Sequence, residues 1–389
     1  MLRPSRICAG SWMDKAFDPR LESMRGIAAL AVAAHHGMSA FAEGLTPHPL
    51  DWLLFAFNPA AAVMFFFVLS GYVLGRALER DSRIFPFLVR RAFRIIPPFI
   101  FAVLFAFACV TLIRIDPAPS GLTEFFMKPF WPEPTWYQLW DNLILRSSWI
   151  NGPTWSIWPE LVGSAFLPFL VFAHKLVAHK WRWLLLFLSI SVALAFSAFK
   201  LVLWFYFGFF LAKEIADGIG ARKWLSVIAF VVGYVLLKVT ADHAIYYKSA
   251  TVIPSAVAGA LMIGAVTASR DFMTWLEVKA LRFLGRISFS FYLLHWPIFY
   301  LSALAEVSYP ALFPFGQFGN IGTMAISIAC ALCAATVSYR FIELPSLKIG
   351  RSVAASIASR RTQPPGRHHW QTYQQPPTEV VRNRSDPNL

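Results

Sequence analysis

Residues 59–75 read PAAAVMFFFVLSGYVLG and contain no charged side chain. Runs of about 20 residues with few or no charges recur from Leu21 to Ile342, and an α-helix needs about that length to cross roughly 30 Å of hydrocarbon. Ten such spans can be placed, near residues 21–41, 59–75, 95–113, 155–173, 183–199, 201–212, 224–240, 249–268, 284–304 and 321–339. The sequence therefore predicts an all-α fold, a polytopic membrane bundle of about ten transmembrane helices.

The composition supports the same fold class. Hydrophobic residues make up 57% of the 389 residues and charged residues only 14%, whereas an ordinary soluble domain has roughly 45–50% apolar and about 25% charged residues. Aromatic residues make up 16% of the chain, which is typical of membrane proteins with interfacial aromatic belts. A soluble globular enzyme is excluded.

Positive charges occupy alternate connections between the predicted spans. One set of connections, which includes both termini, holds 29 of the 35 Lys and Arg residues. The other set holds only six, namely Arg114, Lys128, Arg146, Lys200, Lys238 and Lys248. The positive-inside rule then predicts that both termini are cytoplasmic. Because topology accounts for most of the net charge of +14, we predict membrane lipids and not nucleic acid as partners.

Three regions follow from this pattern. Residues 1–20 are predicted to be a cytoplasmic N-terminal segment, and residues 21–345 to be the membrane domain. The segment from 346 to 389 becomes rich in Pro, Gln and Arg and poor in aliphatic residues. Such a composition cannot bury a core, so we predict a disordered cytoplasmic tail.

The first span carries two polar residues on one helical face. Arg25 precedes His36 by eleven residues, which is three helical turns plus roughly 20°, with a rise of about 16 Å. Polar residues are costly inside a membrane and often mark a pathway or an active site. For Arg25 alone, a topological anchor is the preferred explanation, but the pair on one face favours a function. His35 points about 100° away from His36.

Three arginines, Arg90, Arg91 and Arg94, precede the third span in FPFLVRRAFRIIPPF. Arg91 and Arg94 are neighbours on a helix surface, and guanidinium groups match phosphate oxygens. This arrangement predicts a cytoplasmic phosphate clamp. The alternative is a basic loop that serves topology alone and contacts anionic lipid headgroups.

Glu160, in NGPTWSIWPE, stands where the fourth span begins on the extracytoplasmic side, and no Lys or Arg accompanies it there. Its partner should come from another helix, and we predict the His36 side chain, because a carboxylate that supports a histidine is a common acid–base arrangement. The alternative is an interfacial carboxylate in contact with water.

Other polar groups lie within the apolar spans. Ser70 lies in the second span, whereas Ser288, Tyr292 and His295 share one face of the ninth. Ser70, Tyr292 and His295 are candidates for a substrate channel. Gly71 and Gly75 form a GxxxG pair, for which close helix packing is the leading explanation. Cys330 and Cys333 have no nearby second Cys or His pair, so no metal site is predicted.

Six segments occur in a recognisable order: LESMRGIAALAV, FFFVLSGYVLGRAL, RRAFRIIPPF, NGPTWSIWPE, LGRISFSFYLLHWP and SYRFIELP. Together they resemble the acyltransferase 3 family of bacterial integral-membrane O-acyltransferases, from Leu21 to Pro345. The family's Arg-x10-His motif falls on Arg25 and His36, its R-x-x-R motif on Arg91 and Arg94, and its acidic residue on Glu160.

The resemblance implies an O-acetyltransferase of the bacterial cytoplasmic (inner) membrane. Its donor would be cytoplasmic acetyl-CoA or another acyl-CoA, without a metal. Its acceptor would be a hydroxyl of a carbohydrate or glycolipid, such as an exopolysaccharide or O-antigen, at the extracytoplasmic face.

On this reading His36 is the general base and Glu160 orients it, while Arg25, Arg91 and Arg94 bind the donor. Direct transfer and a transient acyl-His36 intermediate both fit these residues. An alternative function is a transporter or flippase of a glycan or lipid-linked sugar that uses the buried His and Glu as a proton relay. It lacks support from the internal symmetry that many such transporters carry.

Overall fold

A computed structural model of the chain describes residues 18–41, 58–113, 134–196, 200–220, 222–242, 249–309, 311 and 319–360. These ranges contain twelve α-helices and no β-strand. The helices are α1 (Pro19–Phe41), α2 (Pro59–Arg80), α3 (Ile84–Leu112), α4 (Trp136–Leu143), α5 (Ile157–Leu176), α6 (Arg182–Ala195), α7 (Lys200–Ile219), α8 (Lys223–Asp242), α9 (Ser249–Ala268), α10 (Lys279–Ser308), α11 (Gly319–Ser338) and α12 (Leu344–Arg360).

All helices except α4 and α12 coincide with the ten predicted spans. Within the described ranges, seven helical stretches are both long and apolar enough to cross a membrane, judged by length and composition. The predicted spans outside this group of seven include α1 and α6. Helix α1 carries the charged residues Arg20, Glu22 and Arg25 near its start, and α6 has only 14 residues. The predicted fold class, an all-α polytopic membrane bundle, is confirmed.

The third span begins earlier than the sequence suggests. We expected a helix from residue 95, but α3 begins at Ile84, eleven residues before that point. Proline is tolerated in the first turn of a helix, so Pro86 does not delay the start. Arg90, Arg91 and Arg94 therefore lie inside α3, about two to three turns from its first residue, and not in a loop.

Glycines permit close contact between neighbouring helices. A Cβ atom on Gly71 of α2 would collide with the backbone of Phe205 in α7, and one on Gly75 would collide with the ring of Phe209. Close packing, the leading explanation for this GxxxG pair, is confirmed. The same kind of contact brings α1 and α10 together, where a Cβ on Gly26 would lie 2.6 Å from the backbone nitrogen of Gly285.

The prediction of a disordered tail from residue 346 is wrong as far as Arg360. A π-helix, Tyr339–Glu343, connects α11 to α12 without interruption. The α12 helix packs against α3, and the hydroxyl of Ser346 donates a hydrogen bond to the carbonyl of Phe93. The polar composition is misleading because only one face of α12 needs to be buried. Residues 361–389 of the predicted tail lie outside the described residues.

The connection between α4 and α5 is anchored to the centre of the bundle by hydrogen bonds of two asparagines. The buried Asn142 at the end of α4 accepts hydrogen bonds from the backbone N–H groups of Ile150 and Asn151, each at 3.2 Å. The Asn151 side chain then donates to the carbonyl of Leu293 in the middle of α10, at 2.9 Å. A 3-10 helix, Gly152–Ser156, leads directly into α5. Glu160 is thereby placed deep in the bundle and not at its edge.

Candidate active site

A cavity of about 570 Å³ lies between α1, α2, α3, α5, α10 and α12. Its lining carries more positive than negative side chains. The positive ones are Arg25, Arg90, Arg91, Arg94 and Arg351, and the negative ones are Glu22 and Glu160. Apolar residues of α2 form the largest part of the remaining wall, and Phe289 of α10 adds to it. The cavity can therefore accommodate a ligand that combines an anionic group with a less polar portion.

Arg25 projects from α1 toward α10. Its Nε donates a hydrogen bond to the hydroxyl of Ser288 at 2.9 Å, and its Nη2 donates to the carbonyl of Gly285 at 2.7 Å. The contact of Gly26 with Gly285 holds the two helices close enough for these bonds. Arg25 is thus fixed in the cavity wall by neutral acceptors, and its charge remains uncompensated by these two bonds.

Glu160 pairs with Arg91. Arg91 Nη2 lies 2.5 Å from Glu160 Oε1, and Arg91 Nε donates to the hydroxyl of Ser164 at 3.2 Å. Ser70, a predicted channel residue, donates to the same carboxylate oxygen at 3.3 Å. Side-chain exposures of 10% for Arg91 and 20% for Glu160 make this a largely buried ion pair.

Two sequence-based expectations are corrected here. The predicted pairing of Glu160 with His36 is wrong, because Glu160 bonds to Arg91 and Ser70 whereas His36 bonds to His295. The expectation that Arg91 and Glu160 lie on opposite sides of the membrane is also wrong. The physical reason is that α3 begins at Ile84 and carries Arg91 inward, while the 3-10 helix brings Glu160 inward to meet it.

Arg94 faces a carboxylate that the sequence analysis missed. Glu343, the last residue of the π-helix, is completely buried and accepts a hydrogen bond from the hydroxyl of Ser290 at 2.7 Å. Its other oxygen lies 4.0 Å from Arg94 Nη2. The sequence feature that could have identified Glu343 is its position among the apolar residues of SYRFIELP. Single-turn π-helices also occur frequently at functional sites.

His36 of α1 and His295 of α10 form a hydrogen-bonded pair. Nδ1 of His36 lies 2.9 Å from Nε2 of His295, and the two rings stack with centroids 5.2 Å apart. His295 is fully buried. The shared face predicted for Arg25 and His36 is confirmed, since both side chains contact α10.

The tautomer of the pair decides which nitrogen of His36 is free. Nδ1 of His295 is buried and makes no hydrogen bond with any residue that the structure describes. In a neutral imidazole one ring nitrogen donates and the other accepts, so the donor in the 2.9 Å contact is either Nδ1–H of His36 or Nε2–H of His295. With Nδ1–H of His36 as the donor, Nε2 of His36 is unprotonated and able to accept a proton.

Tyr292 lies between the cavity and the histidine pair. It lines the cavity, its ring centroid is 6.0 Å from that of His295, and its hydroxyl donates to the carbonyl of Pro153 at 2.9 Å. His36 is partly exposed but is not among the described residues that line the cavity. Tyr292 therefore connects the lining of the cavity to the histidine pair.

In the part of the chain that the structure describes, no group of three or more His, Cys, Asp or Glu side chains could hold a metal ion.

The predicted site residues fall into two groups. Arg25, Arg91, Arg94, Ser70, Glu160 and Tyr292 line the cavity, whereas His36 and His295 form the pair beyond it.

The fold and the cavity define a multi-pass membrane protein with an arginine-lined interior, and comparison with known proteins adds the reaction class. A family model described as an acyltransferase domain matches residues 18–340. The chain belongs to this acyltransferase 3 family and is a membrane acyltransferase.

One curated relative is the peptidoglycan O-acetyltransferase OatA of Listeria monocytogenes serovar 1/2a. It is 22% identical over 385 residues, which cover 87% of this chain and 57% of that protein. The chain thus spans little more than half the length of this relative. No solved structure gives a significant match.

Proposed function

We propose that this protein transfers an acetyl group from cytoplasmic acetyl-CoA to a hydroxyl of a carbohydrate or glycolipid on the extracytoplasmic side of the bacterial inner membrane. The observation that carries the proposal is the arginine-lined cavity that ends at Tyr292, beside the His36–His295 pair. The family membership and the similarity to a peptidoglycan O-acetyltransferase support the reaction class. Both termini are placed in the cytoplasm on the basis of the charge distribution.

His36 is the proposed general base. Its unprotonated Nε2 removes the proton of the acceptor hydroxyl as the hydroxyl oxygen attacks the thioester carbonyl. The oxygen–carbon ester bond forms, the carbon–sulfur bond breaks, and the proton held by His36 neutralises the thiolate that leaves. A transient acyl-His36 intermediate would use the same nitrogen as a nucleophile.

His295 is the proposed positioning residue for this base. Its Nε2 accepts the Nδ1–H of His36 and so holds the base in the productive tautomer. Glu160, which we expected in this role, instead neutralises Arg91. We therefore assign Arg91 to the integrity of the cavity wall, and Arg25 and Arg94 to the phosphates or the pantetheine arm of the donor.

An isotope-transfer assay tests this function. Purified protein in proteoliposomes is supplied with acetyl-CoA labelled in the acetyl group and with muropeptides or a lipid-linked oligosaccharide as acceptor. We expect base-labile label to appear in the carbohydrate only with the wild-type protein and only with the thioester donor. A glycan flippase would instead move the lipid-linked sugar across the bilayer without acetyl-CoA and would leave it unlabelled, which would contradict the proposal.

A further inference from the structure

One wall of the cavity includes α12, which lies beyond the segments that carry the family resemblance except for its first two residues. Ser346, Gly350 and Ala354 are spaced four residues apart and make one narrow face of this helix. Ser346 bonds to the carbonyl of Phe93, a Cβ on Gly350 would lie 2.5 Å from the Cβ of Phe93, and Ala354 is only 1% exposed. This face therefore packs closely on α3 and fixes the rotation of α12.

That rotation turns an adjacent strip of α12 into the cavity. Leu347 and Arg351 each follow a packed residue by one position, and both line the cavity. Because Gly350 lies against Phe93, Arg351 is close to the turn of α3 that carries Arg90 and Arg94. Lys348, on the same helix, is exposed like Arg351 but does not belong to the described lining.

The cavity arginines differ in how far their charges are neutralised. Arg91 is paired with Glu160, and Arg94 lies near Glu343. Arg90 makes only a partly exposed contact with Asp81, at 3.4 Å. Arg351 makes no hydrogen bond or ion pair with any residue that the structure describes.

Asp81 does not remove the positive charge from this region. A side-chain hydrogen bond from Arg83 lowers the pKa of Asp81 below its usual value, so Asp81 is ionised at neutral pH. It is shared between Arg83 and Arg90, and exposed pairs of this kind contribute little. Arg90 and Arg351 therefore leave positive charge uncompensated at their end of the cavity.

We propose that Arg351 and Arg90 form an outer phosphate subsite, which holds the phosphates at the nucleotide end of the acyl-CoA donor. This inference rests on the proposed function, because it assigns one part of the donor to one end of the same cavity. Guanidinium groups bind phosphate oxygens with paired, charge-assisted hydrogen bonds. With the nucleotide held at Arg351, the less polar arm of the donor extends past Arg94 toward Tyr292, along the apolar wall of α2.

Calorimetry on the detergent-purified full chain tests the subsite with CoA and with pantetheine, which lacks the nucleotide phosphates. For Arg351→Ala we expect the Kd of CoA to rise at least about tenfold, because one charge-assisted hydrogen bond is worth that factor or more. The Kd of pantetheine should not change. Arg351→Lys should recover part of the affinity, and Lys348→Ala, on the same helix, should alter neither ligand.

Other outcomes would overturn the subsite. An equal loss of affinity for CoA and pantetheine would assign Arg351 to the shape of the wall, and an unchanged Kd of CoA would remove it from the site. An effect that appears only in nanodiscs with anionic lipid would assign the phosphate to a lipid headgroup.

The subsite and the proposed function can fail separately. A wild-type protein that binds CoA through Arg351 but transfers no acetyl group would retain the subsite and contradict the function. Acetyl transfer from acetyl-CoA with a KM that does not depend on Arg351 would retain the function and contradict the subsite. Failure of the wild-type protein to bind CoA would overturn both.

Discussion

Replacement of His36 by alanine is expected to reduce acetyl transfer by at least about a hundredfold, the lower end of the range for loss of a general base. The variant should fold, because His36 is partly exposed and its replacement removes side-chain atoms without adding any. CoA affinity should be nearly unchanged, since His36 is not part of the described cavity lining. The measurement is initial rate with labelled acetyl-CoA, combined with calorimetry of CoA binding.

His35→Ala is the matched control, because it removes an imidazole from the adjacent position of the same helix. We expect this variant to retain most of its activity. A His295→Gln variant, whose side-chain oxygen can still accept from His36 Nδ1–H, should retain more activity than His295→Ala. If His35→Ala is inactive and His36→Ala is active, the assignment of the base is wrong.

Arg91→Ala is expected to destabilise the protein, and its effect on the donor should be secondary. The substitution leaves the Glu160 carboxylate in a largely buried position with only the Ser70 hydroxyl as its partner. Breaking a buried ion pair in this way costs about 3 kcal/mol, the lower end of the usual range, because Glu160 retains some exposure. We expect a clear fall in the melting temperature of the detergent-solubilised protein. The melting temperature is measured by tryptophan fluorescence.

Two variants separate charge pairing from a general loss of side-chain contacts. Arg90→Ala removes the neighbouring arginine, whose partly exposed contact with Asp81 should be worth no more than about 1 kcal/mol. The double variant Arg91→Gln with Glu160→Gln removes both charges and should recover much of the stability lost in Arg91→Ala. Equal melting temperatures for Arg90→Ala and Arg91→Ala would contradict the importance of the buried pair.

The sequence predicted those features that depend on one helix at a time. The ten apolar spans and the common face of Arg25 and His36 follow from hydropathy and from helical periodicity, which are local properties. The common face of Ser288, Tyr292 and His295 follows in the same way, and each of these side chains makes an inward contact.

Features that depend on contacts between helices could not be predicted from the pattern. Arg91 and Glu160 are 69 positions apart, and their contact depends on how far α3 and the 3-10 helix extend into the bundle. The sequence does not distinguish His295 from other polar residues of the spans, because its contact with His36 joins two different helices. The role of α12 was hidden because its polar composition conceals a single narrow packing face.

In the proposed mechanism the two substrates reach different ends of the site. Arg25 and the three cavity arginines of α3 lie within the first three turns of their helices, on the predicted cytoplasmic side, whereas His36 lies about 16 Å farther along α1 than Arg25. Donor and acceptor should therefore approach from opposite faces of the membrane, and only the acyl group should move past Tyr292.

Transfer in sealed proteoliposomes of uniform orientation tests this central claim most directly. Labelled acetyl-CoA is supplied on one side and a soluble, membrane-impermeant muropeptide on the other, and each arrangement is then reversed. We predict that acetyl ester forms only when acetyl-CoA is on the side of the N terminus and the muropeptide is on the opposite side. Acetylation of the muropeptide on the same side as acetyl-CoA would contradict the proposed route through the membrane.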